Sequence, residues 1–139
     1  MGLKAALDTS AWIWFRKNEA QIVSRIQSAT AVFVSSVAIG ELEAAFLTGT
    51  RARENQLLLD RFLDEPLVRE IEINSKVARR YGALFAKLRS IGKPIPINDI
   101  WIAAAAIEVG ARLLTFDRDF LRVPGLEVEV LESPPKART

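Results

Sequence analysis

Residues 97–120, INDIWIAAAAIEVGARLLTFDRDF, constrain the possible folds more than any other part of the chain. Positions 100–109 are apolar around almost the whole circumference of a helix, a pattern tolerated only when the helix is packed on several sides. A buried helix is therefore predicted, with Asn98 or Asp99 at its N-cap and Gly110 at its left-handed end. The run 111–116 then reads as a short buried strand of a parallel sheet. It ends in Asp117, with Asp119 two residues on, so acid collects at the strand's carboxyl end.

The start of the chain has the same arrangement. Residues 3–7 form a short, mostly apolar run that ends in Asp8, and Thr9 and Ser10 are placed to cap a helix beginning near Ala11. Open α/β sheets bind ligands in the crevice beyond the carboxyl ends of their strands, so if these strands are neighbours, Asp8 and Asp117 face one cleft. Each acid also has a purely structural reading: Asp99 as a helix cap, Asp8 and Asp117 as turn formers beside hydroxyls. Three such acids in one small domain favour a site.

Composition narrows the chemistry. A chain of 139 residues is expected to form one domain, 1–132, followed by a flexible tail, 133–139. It has no apolar run of membrane-spanning length and no signal-peptide anatomy, so a cytoplasmic protein without membrane association is expected. With no cysteine and no histidine, disulfides, thiolate nucleophiles, a Ser-His-Asp triad and ordinary zinc sites are all excluded. Catalysis must rest on carboxylates, hydroxyls, Lys or Arg, and clustered carboxylates favour hard ions such as Mg²⁺ or Mn²⁺. A net charge of +2 says little about nucleic acid. Its distribution says more: Lys76, Arg79, Arg80, Lys87, Arg89 and Lys93 lie in a segment, 73–98, that contains no acid. That strip is either a solvated helix face or a phosphate-binding surface.

The remaining segments alternate between helix and strand. Residues 11–29 read as two helical pieces broken around 17–19, with Trp12, Trp14 and Phe15 close behind Asp8; core is the first assignment for each aromatic, with one left for a partner. A strand at 31–34 leads to a helix capped by Ser35 or Ser36 and ended by Gly49. Glu41 lies at the margin of that helix's apolar stripe, facing either a cleft or water, and Glu43 on the other flank. A leucine-rich helix at 51–65, a strand at 67–73, a basic helix at 75–90 capped by Asn74, and an edge strand at 126–131 complete the chain. The alternation predicts a three-layer α/β/α domain around a mostly parallel sheet of about five strands.

If Asp8, Glu41, Asp99 and Asp117 converge, each carboxylate pair about 4 Å apart repels by roughly 4 kcal/mol at an effective dielectric near 20. Such a site takes up protons or a divalent cation. The pieces LDTSAW around Asp8, SVAIGEL around Glu41, NDIWIAA around Asp99 and LLTFDRDF with Asp117 and Asp119 follow one another in a specific order. In these four motifs the chain resembles the PIN-domain ribonucleases, and within them the VapC-type toxins of bacterial and archaeal toxin–antitoxin pairs, over nearly its full length.

The resemblance implies a PIN-like fold and an acidic quartet, Asp8, Glu41, Asp99 and Asp117, that is both catalytic and metal-binding, with Asp119 accessory. It implies that Thr9, Ser10 and Thr115 arrange the site, and that the activity is Mg²⁺- or Mn²⁺-dependent hydrolysis of RNA. A homodimer and a VapB-type antitoxin partner whose C-terminal segment lies over the cleft are implied as well, with the 51–65 helix and the Trp12/Trp14 surface as contacts. Arg79, Arg80, Lys87 and Lys93 are then candidates for RNA phosphates. Two rival readings stand beside this one. The first is a non-catalytic module of the same fold, whose acids bind an ion or a basic peptide. The second is an aspartyl-phosphate phosphatase or receiver domain, disfavoured because no second acid stands two residues after Asp8 and no suitably placed Lys is evident.

Overall fold

The computed structural model describes residues 2–134. Its strands are β1 (Leu3–Leu7), β2 (Ala29–Ser35), β3 (Val68–Ile71), β4 (Arg112–Thr115) and β5 (Val128–Val130). They form one five-stranded sheet in the order β3-β2-β1-β4-β5, and each neighbouring pair is parallel. The helices are α1 (Thr9–Arg16), α2 (Ala20–Ser28), α3 (Ser36–Thr48), α4 (Ala52–Leu63), α5 (Ser75–Ser90) and α6 (Ile97–Val109). This is the expected α/β/α architecture, with a sheet that is parallel throughout rather than mostly. With this strand order, the right-handed rule for parallel crossovers puts the helices between β1 and β3 on one face and α5 and α6 on the other.

Burial explains the strand sequences. Ala5, Ala6 and Leu7 of β1 and Leu113, Leu114 and Thr115 of β4 are all buried, so these central strands carry no polar alternation. Ala103, Ala104, Ala105 and Ala106 are completely buried on α6, and their small size lets that helix lie close against both the sheet and α5. Gly110 ends α6 at φ 68°, the left-handed conformation its position predicts.

Several local expectations need correction. α6 is capped by Pro96 without a side-chain hydrogen bond, and Asn98 and Asp99 lie inside its first turn rather than at its N-cap. Proline suits such a helix start because its φ is already restricted. At the other strand end the helix begins at Thr9, and Asp8 itself is the cap, accepting the Ala11 N–H at 2.8 Å. Ser35, not Ser36, caps α3, and Ser36 instead donates to the Ile71 carbonyl of β3. The strands expected at 67–73 and 126–131 contract to β3 and β5. Of the expected tail, residues 135–139 lie outside the described residues.

Candidate active site

The strand order reverses between β1 and β4: the chain moves outward through β2 and β3 on one side and through β5 on the other. A crevice opens at such a switch point, beyond the carboxyl ends of the strands. Asp8 follows β1 directly and Asp117 lies just beyond β4, so the two acids stand on either side of it. Glu41 reaches the same crevice from α3, and Asp99 from the first turn of α6.

Asp8 is 5% exposed and saturated with hydrogen bonds. Its Oδ1 accepts from the Ala11 N–H and the Ser10 hydroxyl, each at 2.8 Å, and its Oδ2 accepts from the Thr115 hydroxyl. Burial nevertheless dominates and raises its pKa to about 6; the hydrogen bonds from Thr115, Ala11 and Ser10 pull the other way, and the charge of Asp117 adds to the rise. Ser10 also accepts the Phe116 N–H at 3.1 Å, and Thr115 accepts the Asp117 N–H at 3.0 Å. Two hydroxyls therefore lace the ends of β1 and β4 together.

Glu41 is held at both oxygens. The Thr9 hydroxyl donates to Oε1 at 2.7 Å and the Asn98 amide to Oε2 at 3.3 Å. Glu43, on the other flank of α3, accepts from Gln56 of α4 at 2.8 Å and takes no part in the crevice. Asp117 accepts the Asp119 N–H at 2.9 Å, and Asp119 pairs with Arg122 at 3.5 Å.

Asp99 reports on the whole cluster. Its pKa is raised to about 7, first by burial and then by the charges of Asp117, Glu41, Asp8 and Asp119 in that order. The five carboxylates thus share one electrostatic environment with little positive charge to balance it. Their donor set is entirely hard oxygen, which suits Mg²⁺ or Mn²⁺ rather than softer metals. Among the described residues no group of three acids is set to hold an ion as the side chains stand. That agrees with the contacts above, in which both oxygens of Asp8 and both of Glu41 are engaged with protein donors.

Thr9 bonds Glu41, Ser10 and Thr115 bond Asp8, and the charges of Asp117, Glu41, Asp8 and Asp119 all act on Asp99, so the five expected acids and three hydroxyls lie at the same end of the sheet. The basic strip does not behave as a unit: Arg80 is paired with Glu108 at 3.0 Å, whereas Arg79, Lys87 and Lys93 are exposed and form no ion pair among the described residues. Trp12 is buried against Phe46 and forms no surface; of the two tryptophans expected to meet partners, only Trp14 is partly exposed. Asn98 escaped the sequence reading of the site because its place before Asp99 suggested a cap. Its contact with Glu41 spans 57 residues and leaves no local signal.

The PIN-domain family model matches residues 5–126. Ribonuclease VapC4 of Mycobacterium tuberculosis is 39% identical over 101 residues, spanning 68% of this chain and 73% of that protein. The chain belongs to the VapC ribonucleases of the PIN-domain family. A second VapC relative, ribonuclease VapC2 of Haemophilus influenzae, is 32% identical over 130 residues, 91% of this chain and 97% of that protein. Among solved structures, VapBC2 from Rickettsia felis bound to a promoter DNA fragment shares the PIN fold with a TM-score of 0.84 at 26% identity, covering 94% of this chain and 100% of that one. DNA-bound VapBC from Salmonella typhimurium gives 0.82 at 27% identity, covering 92% and 98%.

Proposed function

We propose that this PIN-domain chain is an Mg²⁺- or Mn²⁺-dependent endoribonuclease that hydrolyses RNA phosphodiester bonds, acting as the toxin of a toxin–antitoxin pair. The observation that carries the reading is the set of carboxylates from the β1 end, α3, α6 and the β4 end around one crevice, whose charges add to burial in lifting Asp99 to about 7. Asp8, Glu41, Asp99 and Asp117 would hold the ion, with Asp119 as an accessory ligand. When bound, the ion supplies a water activated as nucleophile and stabilises charge on the phosphate oxygens.

The chain's own residues do the arranging. Thr115 and Ser10 fix Asp8 relative to Asp117, and Thr9 orients Glu41. Asp99, lifted to about 7, would give up its proton on filling of the site. Arg79, Lys87 and Lys93 are available to RNA phosphates, and Arg80 joins them only by leaving Glu108.

The partner is a VapB-type antitoxin, supported by the likeness to VapBC complexes. A largely apolar groove of about 610 Å³, lined by residues including Phe15, Ile26, Leu58, Phe62 and Leu67 and by none of the crevice acids, offers a seat for an apolar stretch of that partner outside the crevice. A homodimer, a single domain over 1–132 and a cytoplasmic location complete the proposal; among the described residues no helix is long and apolar enough to cross a membrane.

The test is cleavage of single-stranded RNA by purified protein with Mg²⁺, with EDTA, and with Asp99→Asn. The proposal expects cleavage only by wild type with the metal. Intact RNA in all three reactions would favour the non-catalytic binding module.

A further inference from the structure

Beyond the carboxyl ends of β4 and β5, next to the acidic crevice, lies a separate cavity of about 330 Å³. It is lined by Phe116, Arg118, Val130, Leu131, Glu132 and Ser133. Phe116 and Arg118 flank Asp117, whose backbone is extended at φ −102° and ψ 117°. Successive side chains of an extended segment point to opposite sides. Asp117 turns into the acidic crevice, and its two neighbours turn into the second cavity.

The walls of this cavity are fixed. The Phe116 N–H is held by Ser10 at 3.1 Å, and its ring rests against Trp14 with centroids 5.8 Å apart. Leu131 is anchored by its N–H to the Thr115 carbonyl at 2.8 Å. The polar groups, in contrast, are uncommitted. Arg118 is exposed and forms no ion pair among the described residues. The Glu132 carboxylate likewise forms no ion pair among the described residues; only its backbone carbonyl is used, by Gln21 at 3.2 Å. A positioned aromatic ring, a guanidinium donor and a carboxylate acceptor in one small cavity suit a planar heteroaromatic ring attached to a phosphate. A basic peptide drawn to the acids would be repelled by Arg118.

We propose that this cavity seats a nucleobase of single-stranded RNA, one nucleotide removed from the phosphodiester held at the acids. The base stacks on Phe116, Glu132 accepts from a donor on its edge, and Arg118 meets its edge or the adjoining phosphate. This inference rests on the ribonuclease reading and adds to it a specificity subsite.

The test uses Asp99→Asn protein, which does not cut, titrated in Mg²⁺ with a fluorescent single-stranded RNA octamer. In that background Phe116→Ala weakens affinity about 5- to 150-fold, the range expected for one lost base stack. Arg118→Ala, an exposed substitution that leaves packing intact, weakens binding and lowers the slope of log affinity against log salt by about one unit if it meets phosphate. Near-UV circular dichroism verifies that Phe116→Ala remains folded. RNA binding by the parent with no change in either variant overturns the subsite and leaves the ribonuclease reading standing. No cleavage of the same octamer by wild type in Mg²⁺ overturns the ribonuclease reading itself.

Discussion

Thr115 donates its hydroxyl to Asp8 Oδ2 while accepting the backbone N–H of Asp117 at 3.0 Å, so one side chain joins the two strand-end acids. Because this bond favours the ionised form of Asp8, Thr115→Val raises the Asp8 pKa above about 6. The substitution is expected to cost about 1–3 kcal/mol at pH 7.5, where the buried carboxylate loses a donor, and less at pH 5. Urea denaturation at the two pH values checks this, and an equal cost at both would show that Asp8 does not titrate between them.

The metal-free protein should become less stable as pH rises. Asp8 at about 6 and Asp99 at about 7 both lie above the ordinary value of 3.8, so between these limits the folded state binds more protons than the unfolded chain. Their contribution to stability is full below about pH 4, falls from there through pH 6 and 7, and levels off above. Asp99→Asn removes the upper part of this fall. Thermal melts in EDTA from pH 5 to pH 8 test the sign; a Tm that rises over this interval would contradict it.

Asp8→Ala sets two effects against each other. Loss of the α1 cap costs about 1 kcal/mol, while removal of a buried acid relieves an unfavourable ionisation. At pH 5, where native Asp8 is protonated, the cap loss dominates and the variant melts below wild type. At pH 7.5 the gap narrows or reverses, and cleavage is abolished at both. A variant that fails to fold at either pH would make Asp8 primarily structural.

Gly110→Ala separates fold from function. With φ 68° and nothing within 4 Å of an added Cβ, its cost is purely conformational, about 1–2 kcal/mol. Chemical denaturation should show that loss, with cleavage by the remaining folded protein unchanged.

The features legible in the sequence were those with local causes. β1 and β4 are buried on both faces, so they appear as short apolar runs, and each run is followed by its acid. Gly110 and Asn74 mark helix ends because a left-handed turn and a side-chain cap each favour particular residues. Exchange of roles among neighbours was not legible. Asp8 takes the cap position ahead of Thr9 and Ser10, and Pro96 takes it ahead of Asn98, because the chain direction entering each helix is set by tertiary packing. The burial of Trp12 against Phe46 and the hold of Asn98 on Glu41 likewise depend on contacts between distant segments.

The central claim is that these carboxylates jointly hold one divalent site. Calorimetric titration of Mn²⁺ into wild type, Asp99→Asn and Asp117→Asn at pH 7.5 tests it most directly. The account predicts saturable binding to wild type and a loss of at least about 10-fold in affinity for each variant, a difference of roughly 1.4 kcal/mol or more. Equal affinity in all three proteins, or no binding to wild type, would contradict it.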